Sequence, residues 1–334
     1  MKKLYSVLLC VLSLFVLVAC GSGQENGENK EAVETNNNGA ATEASGEKLS
    51  VDELTVTYVT SPLNVPSIVE KNKKIFEETM PGVKINYAEI TSGAEQTQAL
   101  ASGDVQVLYA LGGSSAILGK ANGVDLKVLN MYSRGPEAFA LYSTDEGITS
   151  PESLRGKKIA GPIGTNLHEL LLAYLKSGNM TVDDVEYLDM SIPDALAALE
   201  SGAVDGALLG GPAGYKALSA GKHQVVNGKG LIDAIICVAV SEEFYNEHPD
   251  VVEKLGEAQE KIQEYMDNNP EETKEIVMKE LSIDEKSYED MVKMYDFSTE
   301  IKDSDIEGFK RTADFMLETN MIEKELDVET LFVK

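Results

Sequence analysis

The chain has 334 residues, 56 of them acidic and 29 basic, for a formal net charge of −27. Such a field repels nucleic acid, and it suits solubility on an external surface. The three cysteines, Cys10, Cys20 and Cys237, lie far apart, which excludes a cysteine-rich metal site.

Lys2 and Lys3 precede an almost unbroken apolar run over 4–18, which ends in Leu17-Val18-Ala19-Cys20. The run is shorter than the roughly 20 residues a membrane-spanning helix needs. A charged start, a short apolar core and a small residue before the cut predict a secretory signal over 1–19. A Cys directly after Leu-Val-Ala resembles the bacterial lipobox. That resemblance implies cleavage before Cys20, a diacylglyceryl group on its sulfur and a lipid anchor on the outer face of the cell membrane; with the acidic tether it points to a Gram-positive surface, the alternative being a Gram-negative periplasm, where lipoproteins also occur. The alternative is an ordinary signal with an incidental Cys. Residues 20–50 are rich in Gly, Asn, Glu, Ser, Thr and Ala, with Val33 and Leu49 the only larger apolar side chains. They bury too little to offset ordering and read as a flexible tether. Loss of the signal leaves 27 basic against 56 acidic residues, a net −29. About 280 foldable residues remain, enough for two domains. Cys237, in Ile235-Ile236-Cys237-Val238, reads as a small core hydrophobe without a disulfide partner.

Downstream, β-branched residues in alternation predict a strand over 54–59. Ser61-Pro62 and Pro66 form a loop, and a helix over 67–79 is stopped by Pro81-Gly82. A strand over 83–87, a helix over 93–102 closed by Gly103, and a strand over 105–109 follow. The last leads into Gly112-Gly113-Ser114-Ser115 and another helix. This β-α-β rhythm predicts a parallel sheet covered by helices. The rhythm repeats: strand 158–160, loop 161–166, helix 167–176, strand 185–188, helix 193–201 closed by Gly202, strand 204–209, then Gly210-Gly211-Pro212. The stretches 99–113 and 198–211 line up: each is a helix end, a Ser-Gly cap, a strand and a glycine pair. Any two α/β units share part of this pattern, so the match supports two similar lobes without proving duplication. Beyond Cys237, helices over 241–268, 270–280, 284–294 and 303–319 read as scaffold.

Residues 146–209 resemble the core of the nitrate/sulfonate/taurine-type ABC substrate-binding proteins. The resemblance is carried by Ser153-Leu154-Arg155-Gly156-Lys157-Lys158 before a strand, by Gly164 with His168, and by Ala198-Leu199, Ser201-Gly202 and Val204-Asp205. Fainter similarity runs from 54 to 319. The resemblance implies an α/β type II periplasmic-binding fold of two lobes joined by a two-crossing hinge. Lobe 1 would hold 52–138 and 238–334, and lobe 2 would hold 139–237. The crossings would lie near 139–141 and 235–237. A small anion such as a sulfonate, taurine or nitrate would bind between the lobes. The partners would be an ABC permease dimer with its cytoplasmic ATPase and, through the lipid, the membrane. The binding protein would act as a monomer, with no cofactor, no metal and no nucleic acid.

Ligands of parallel sheets bind beyond the carboxyl ends of the strands. That rule selects Ser61, Pro62 and Asn64; Gly113, Ser114 and Ser115; Arg134 before Gly135-Pro136-Glu137; Thr165, Asn166 and His168; and Gly211 with Pro212. Ser114 and Thr165 open helices, whose free N–H groups and positive dipole ends suit an oxyanion without a fixed cation. Ser, Thr and Asn are also ordinary helix caps, so each loop alone is explained by capping; the matched pair points to binding. Arg134 is the nearest cation, or else a solvated loop residue. Many members of the resembled family carry an aromatic and an acidic residue just before Pro212, where this chain has Gly210 and Gly211. That departure predicts a larger, uncharged wall. Tyr58, Tyr109, Phe139 and Tyr215 then stand as stacking surfaces, or else as core, the commoner place of tyrosines in or beside strands, and a heteroaromatic vitamin precursor (a thiamine pyrimidine or a riboflavin-like compound) stands as the alternative ligand. Pyrimidine-synthesising enzymes and sensor domains of the same fold are more distant readings. No Gly-x-Ser-x-Gly elbow, phosphate-binding Gly-x-x-x-x-Gly-Lys loop or paired His motif occurs, so the sequence predicts a binder rather than an enzyme.

Overall fold

A computed structural model describes residues 48–333. The expected signal, the lipidation site Cys20 and the tether up to residue 47 lie outside the described residues. In chain order the elements of the first half are β1 (Glu53–Thr57), α1 (Val65–Lys73), α2 (Ile75–Thr79), β2 (Lys84–Ala88), α3 (Gly93–Ser102), β3 (Val107–Gly112), α4 (Gly113–Ala121), β4 (Leu126–Arg134), β5 (Phe139–Ser143) and β6 (Lys158–Gly161). There follow α5 (Asn166–Ser177), β7 (Glu186–Asp189), α6 (Ile192–Ser201), β8 (Gly206–Gly210), α7 (Gly211–Ser219), β9 (His223–Asn227) and β10 (Ile235–Ser241). A helical tail closes the chain: α8 (Glu242–Glu247), α9 (Pro249–Asn268), α10 (Pro270–Leu281), α11 (Glu285–Val292) and α12 (Asp303–Glu318).

Two five-stranded sheets form, ordered β2-β1-β3-β10-β4 and β7-β6-β8-β5-β9. Both are mixed. In the first, β2, β1 and β3 run parallel and β10 runs antiparallel to β3 and β4. In the second, β7, β6 and β8 run parallel and β5 runs antiparallel to β8 and β9. The sequence rhythm predicts parallel strands only. The two exceptions, β5 and β10, are the strands the chain enters directly after passing from one sheet to the other. They are inserted from across the molecule rather than wound by a local crossover, so no βα repeat announces them. The passages lie between Arg134 and Phe139 and between Asn227 and Ile235. Residues 139–141 and 235–237, expected at the crossings, lie inside β5 and β10.

The matched glycine caps behave alike. Gly103 ends α3 and Gly202 ends α6, at φ 80° and 75°, the left-handed region a side chain disfavours. At their other ends, Ser92 and Ser191 accept from the N–H groups of Glu95 and Asp194. The helix expected over 67–79 breaks at Lys74, which sits at φ 57°. Glu70 explains the break: its buried carboxyl accepts from the Phe76 N–H at 3.3 Å and from the Tyr87 hydroxyl at 2.9 Å. It thereby replaces backbone acceptors that a continuous helix would have used. The helix expected over 241–268 divides at His248-Pro249, because Pro249 has no N–H to carry the ladder onward.

The main core joins Ile68, Val69 and Phe76 to Val251, Leu255, Ala258 and Ile262 of α9 and to Val277 of α10. A second core, with Leu108, Leu111 and Cys237, is closed by Phe309 and Met316 of α12. The helical tail is thus scaffold for the first sheet.

Candidate functional site

Five strand-to-helix loops meet between the sheets and enclose a cavity of about 670 Å³. From the first sheet come β1–α1 (Tyr58, Ser61, Pro62, Asn64), β2–α3 (Glu89, Thr91, Ser92, Gly93, Gln96) and β3–α4 (Gly112, Ser115). From the second come β6–α5 (Pro162, Thr165, Asn166) and β7–α6 (Asp189, Ser191, Ile192). Each loop ends at the start of a helix, so five helix N-termini point at one space. Their first-turn N–H groups lack intrahelical partners and carry the positive end of the helix dipole. No Lys, Arg or His lines the cavity among the described residues.

Several expected residues meet here: Ser61, Pro62, Asn64, Ser115, Thr165 and Asn166 all line the cleft. Their hydroxyl and amide groups, however, mostly hold the walls together. Ser115 donates to the Gly164 carbonyl at 2.8 Å, across the two halves. Thr165 donates to the Pro162 carbonyl at 2.9 Å, and the Asn64 amide donates to the Val59 carbonyl at 2.7 Å. Asn166 accepts from the Ser114 hydroxyl at 2.6 Å. The donors left for a ligand are backbone N–H groups of the helix starts and the hydroxyls of Thr60, Ser61 and Thr91, which line the cavity and make no side-chain hydrogen bond among the described residues.

Gly113 and Ser114 lie one step deeper, against Glu169 of α5 and Thr312 of α12 in a small buried polar pocket. Glu169 is 4% exposed. It accepts from Thr312 at 2.9 Å, and its other oxygen meets the Ser114 hydroxyl. Burial pushes its carboxyl up to about 7, although the bonds from Ser114 and Thr312 oppose the rise. Ser114 has a single hydrogen and faces two acceptors, so a protonated Glu169 completes the network.

Arg134 does not reach the cleft. Its guanidinium holds Asp305 through two bonds of 2.6 Å and donates to the carbonyls of Ser298 and Glu300 at 2.7 Å. It fastens the start of α12 to β4, because a largely buried guanidinium needs its donors satisfied. His168 also turns away: it stacks on Tyr187 at 5.1 Å and accepts from the Gly164 N–H at 3.2 Å. Burial lowers its pKa to about 4, so it is a neutral acceptor that shapes the 162–165 turn. Glu137 pairs with Lys229 at 2.6 Å.

Gly211 and Pro212 are absent from the cleft wall, and the space expected beside Gly210 and Gly211 is filled. Pro62 packs there: a Cβ on Gly211 would lie 1.6 Å from the Pro62 carbonyl oxygen, and one on Gly210 would lie 2.9 Å from Pro62 Cβ. Tyr109 is fully buried, and Tyr215 sits beside Lys286. Tyr58 and Phe139 are the aromatic residues that line the cavity.

Sequence reasoning missed the β2–α3 and β7–α6 loops. Both carried a legible signal: a serine three residues before an acid, Ser92 with Glu95 and Ser191 with Asp194, marks a helix start. It also missed Glu280, which belongs to the tail read as scaffold yet reaches the cleft and accepts from the Tyr58 hydroxyl at 2.8 Å.

A family model described as NMT1/THI5 like matches residues 62–273, more than half of the chain. The chain belongs to this family. A putative aliphatic sulfonates-binding protein of Bacillus subtilis (strain 168) is 27% identical over 98% of this chain and 94% of its own length. The taurine-binding periplasmic protein of Escherichia coli (strain K12) is 32% identical over 61% of this chain and 63% of its own. Among solved structures, the alkanesulfonate-binding protein from Xanthomonas axonopodis pv. citri, bound to MOPS, superposes with a TM-score of 0.77 at 20% identity, covering 85% of this chain and 98% of that one. A desulfurization enzyme shares the fold more distantly, with a TM-score of 0.61 at 16% identity, over 85% of this chain and 96% of that one. The fold of this NMT1/THI5-like chain is therefore the type II periplasmic-binding fold, with a cleft between two mixed sheets.

Proposed function

We propose that this chain is the extracytoplasmic solute-binding component of an ABC importer, lipid-anchored through Cys20, and that it captures organic sulfonates in the cleft between its sheets. The observation that carries the reading is the convergence of five helix N-termini on one cavity with no cationic side chain on its wall among the described residues. Backbone N–H groups at helix starts match three equivalent acceptor oxygens, and they do so without the desolvation cost of a buried lysine. The relatives' names point to the same ligand class. Binding protein rather than enzyme is supported by Cys237, the cysteine among the described residues. It is fully buried, its thiol is pushed up to about 12, and it lies against the Leu111 carbonyl, where it cannot serve as a nucleophile.

Residues 52–138 with 238–334, and 139–237, would act as lobes that close on the ligand, and the closed form would dock on a permease dimer. Isothermal titration of the purified chain with ethanesulfonate, 2-aminoethanesulfonate, nitrate and a thiamine-type pyrimidine tests the reading. Saturable one-to-one binding of a sulfonate is expected. Binding of the ring compound alone would reassign the cleft to a heteroaromatic ligand.

A further inference from the structure

Glu169 lies at the seam between the two halves, behind the cleft wall rather than on it. It stands in the first turn of α5, whose first residue, Asn166, lines the cleft. Its two oxygens reach different elements of the first half. Oε1 accepts from Thr312 of α12 at 2.9 Å, and Oε2 meets the hydroxyl of Ser114, the second residue of α4. One carboxyl therefore spaces two helix starts, those of α4 and α5, that face the cleft from opposite sheets.

Its protonation follows from counting hydrogens. The Asn166 amide nitrogen donates to the Ile235 carbonyl at 3.4 Å, which leaves Oδ1 turned to the Ser114 hydroxyl at 2.6 Å. Ser114 gives its single hydrogen to that oxygen. The contact between Ser114 and Glu169 is then a hydrogen bond only when the carboxyl carries a proton and donates it. The surroundings agree. The space beside Glu169 measures about 10 Å³, room for one water at most and none for a hydrated counter-ion. No Lys, Arg or His lines it among the described residues. The nearest charged groups are Asp233, whose field opposes ionisation, and Arg311 of α12, which is engaged by Asp233 at 2.8 and 3.0 Å. On α5 itself, His168 stacks on Tyr187 and Lys176 pairs with Glu318 of α12.

We infer that Glu169 is a positioning residue for ligand capture: its protonated carboxyl clasps α5 to α4 and α12, so that closing of the halves on a ligand takes up a proton. This rests on the reading that the halves close on a ligand. Parting them exposes the carboxyl to water, where it ionises at its ordinary 4.5, whereas in the closed seam it keeps its proton up to about 7. Affinity is therefore full in acid, falls as pH rises between those values, and levels off above about 7. Two neighbours stay out of this linkage. The bond from Ser115 to the Gly164 carbonyl crosses the seam but holds no titratable group. Glu70, the other raised carboxyl, has both its partners, Tyr87 and Phe76, within the first half.

The test is isothermal titration of the purified chain and of its Glu169→Gln variant with ethanesulfonate and 2-aminoethanesulfonate at pH 5.5 and pH 7.5. Both ligands keep their charges over that range, so a pH dependence belongs to the protein. Wild-type affinity should fall roughly tenfold or more between the two pH values, with about one proton taken up per ligand at pH 6. The variant's amide donates to Ser114 and accepts from Thr312 at every pH. It should match the wild-type chain at pH 5.5 and bind more tightly at pH 7.5, a rescue that a merely structural role does not give. A wild-type affinity independent of pH, or a pH dependence kept by the variant, would overturn the inference and leave sulfonate binding in place. Binding of neither sulfonate would remove the functional reading, and X-ray scattering of the ligand-free chain then judges the clasp alone. The radius of gyration should rise from pH 5.5 to pH 7.5 in the wild-type chain and stay constant in the variant; an unchanged wild-type radius would overturn the clasp as well.

Discussion

The glycine pairs at 112–113 and 210–211 begin from nearly the same sequence and end in different roles. Each closes a central strand and opens a helix, β3 into α4 and β8 into α7. The first pair stands at the edge of the cleft, with Gly112 on its wall and Gly113 one step deeper. Gly112 lines the cavity, and Ser114 and Ser115 behind it join the halves through hydrogen bonds to Asn166 and to the Gly164 carbonyl. The second pair receives backbone: Gly211, at φ 54°, lies under the Pro62 carbonyl with no room for a side chain. One local code therefore builds both helix starts, and tertiary context decides which becomes a ligand wall and which a steric seat. The contact at 114–115 is polar and titratable, whereas the one at 211 is set by shape alone.

Substitution at the seat should have the largest effect. Gly211→Ala places a methyl into the Pro62 carbonyl and demands a left-handed conformation from alanine. We expect a loss of about 4 kcal/mol or more in chemical unfolding, in the class of severe backbone clashes. Near-normal stability would show that the 61–64 loop moves freely and that the comparison is wrong.

The polar contact should respond to pH, and the seat should not. Glu169 holds its proton in the folded protein up to about 7, against an ordinary 4.5. Between those values the folded state keeps a proton that the unfolded chain releases. Stability from this group is therefore present in acid and lost as pH rises through that window. Glu70, raised to about 8 by burial, acts in the same direction. His168, lowered to about 4, acts oppositely and loses stability as pH falls below 6.5. The difference between Glu169→Gln and wild-type melts isolates one group: it should grow in favour of the variant from pH 5 to pH 8, by on the order of 3 kcal/mol. A pH-independent difference would mean that Glu169 is ionised throughout.

Smaller changes separate binding from folding. Ser115→Ala removes the bond to Gly164 and should cost about 1 kcal/mol of stability, read by thermal melt. Gly112→Ala has ordinary backbone geometry, with its nearest neighbours 3.6 Å from the added carbon. Less than about 1 kcal/mol of stability should be lost, while sulfonate affinity falls about tenfold as the methyl crowds the wall. Equal losses at Gly112 and Gly211 would erase the distinction between wall and seat.

Much of this was legible in the sequence. The caps at Gly103 and Gly202, the two β-α-β series and three of the five cleft loops (β1–α1, β3–α4 and β6–α5) followed from local rules that side-chain size and backbone freedom enforce. What escaped depends on partners distant in sequence. Arg134 reads as a free cation because its partner Asp305 is 171 residues away. Gly210 and Gly211 read as open wall because Pro62 arrives from the other half. Antiparallel β5 and β10 carry no local mark of their direction. Glu280 joins the cleft only because α10 packs beside α1.

The central claim is that helix starts from both sheets hold a sulfonate between them. A crystal structure of the chain with 2-aminoethanesulfonate tests it most directly. The account predicts the sulfonate oxygens within hydrogen-bond distance of backbone N–H groups at the starts of α3, α4, α5 or α6, drawn from both halves. An ordered sulfonate outside this cleft, for instance in the hollow between Met266 and Tyr295, would contradict it.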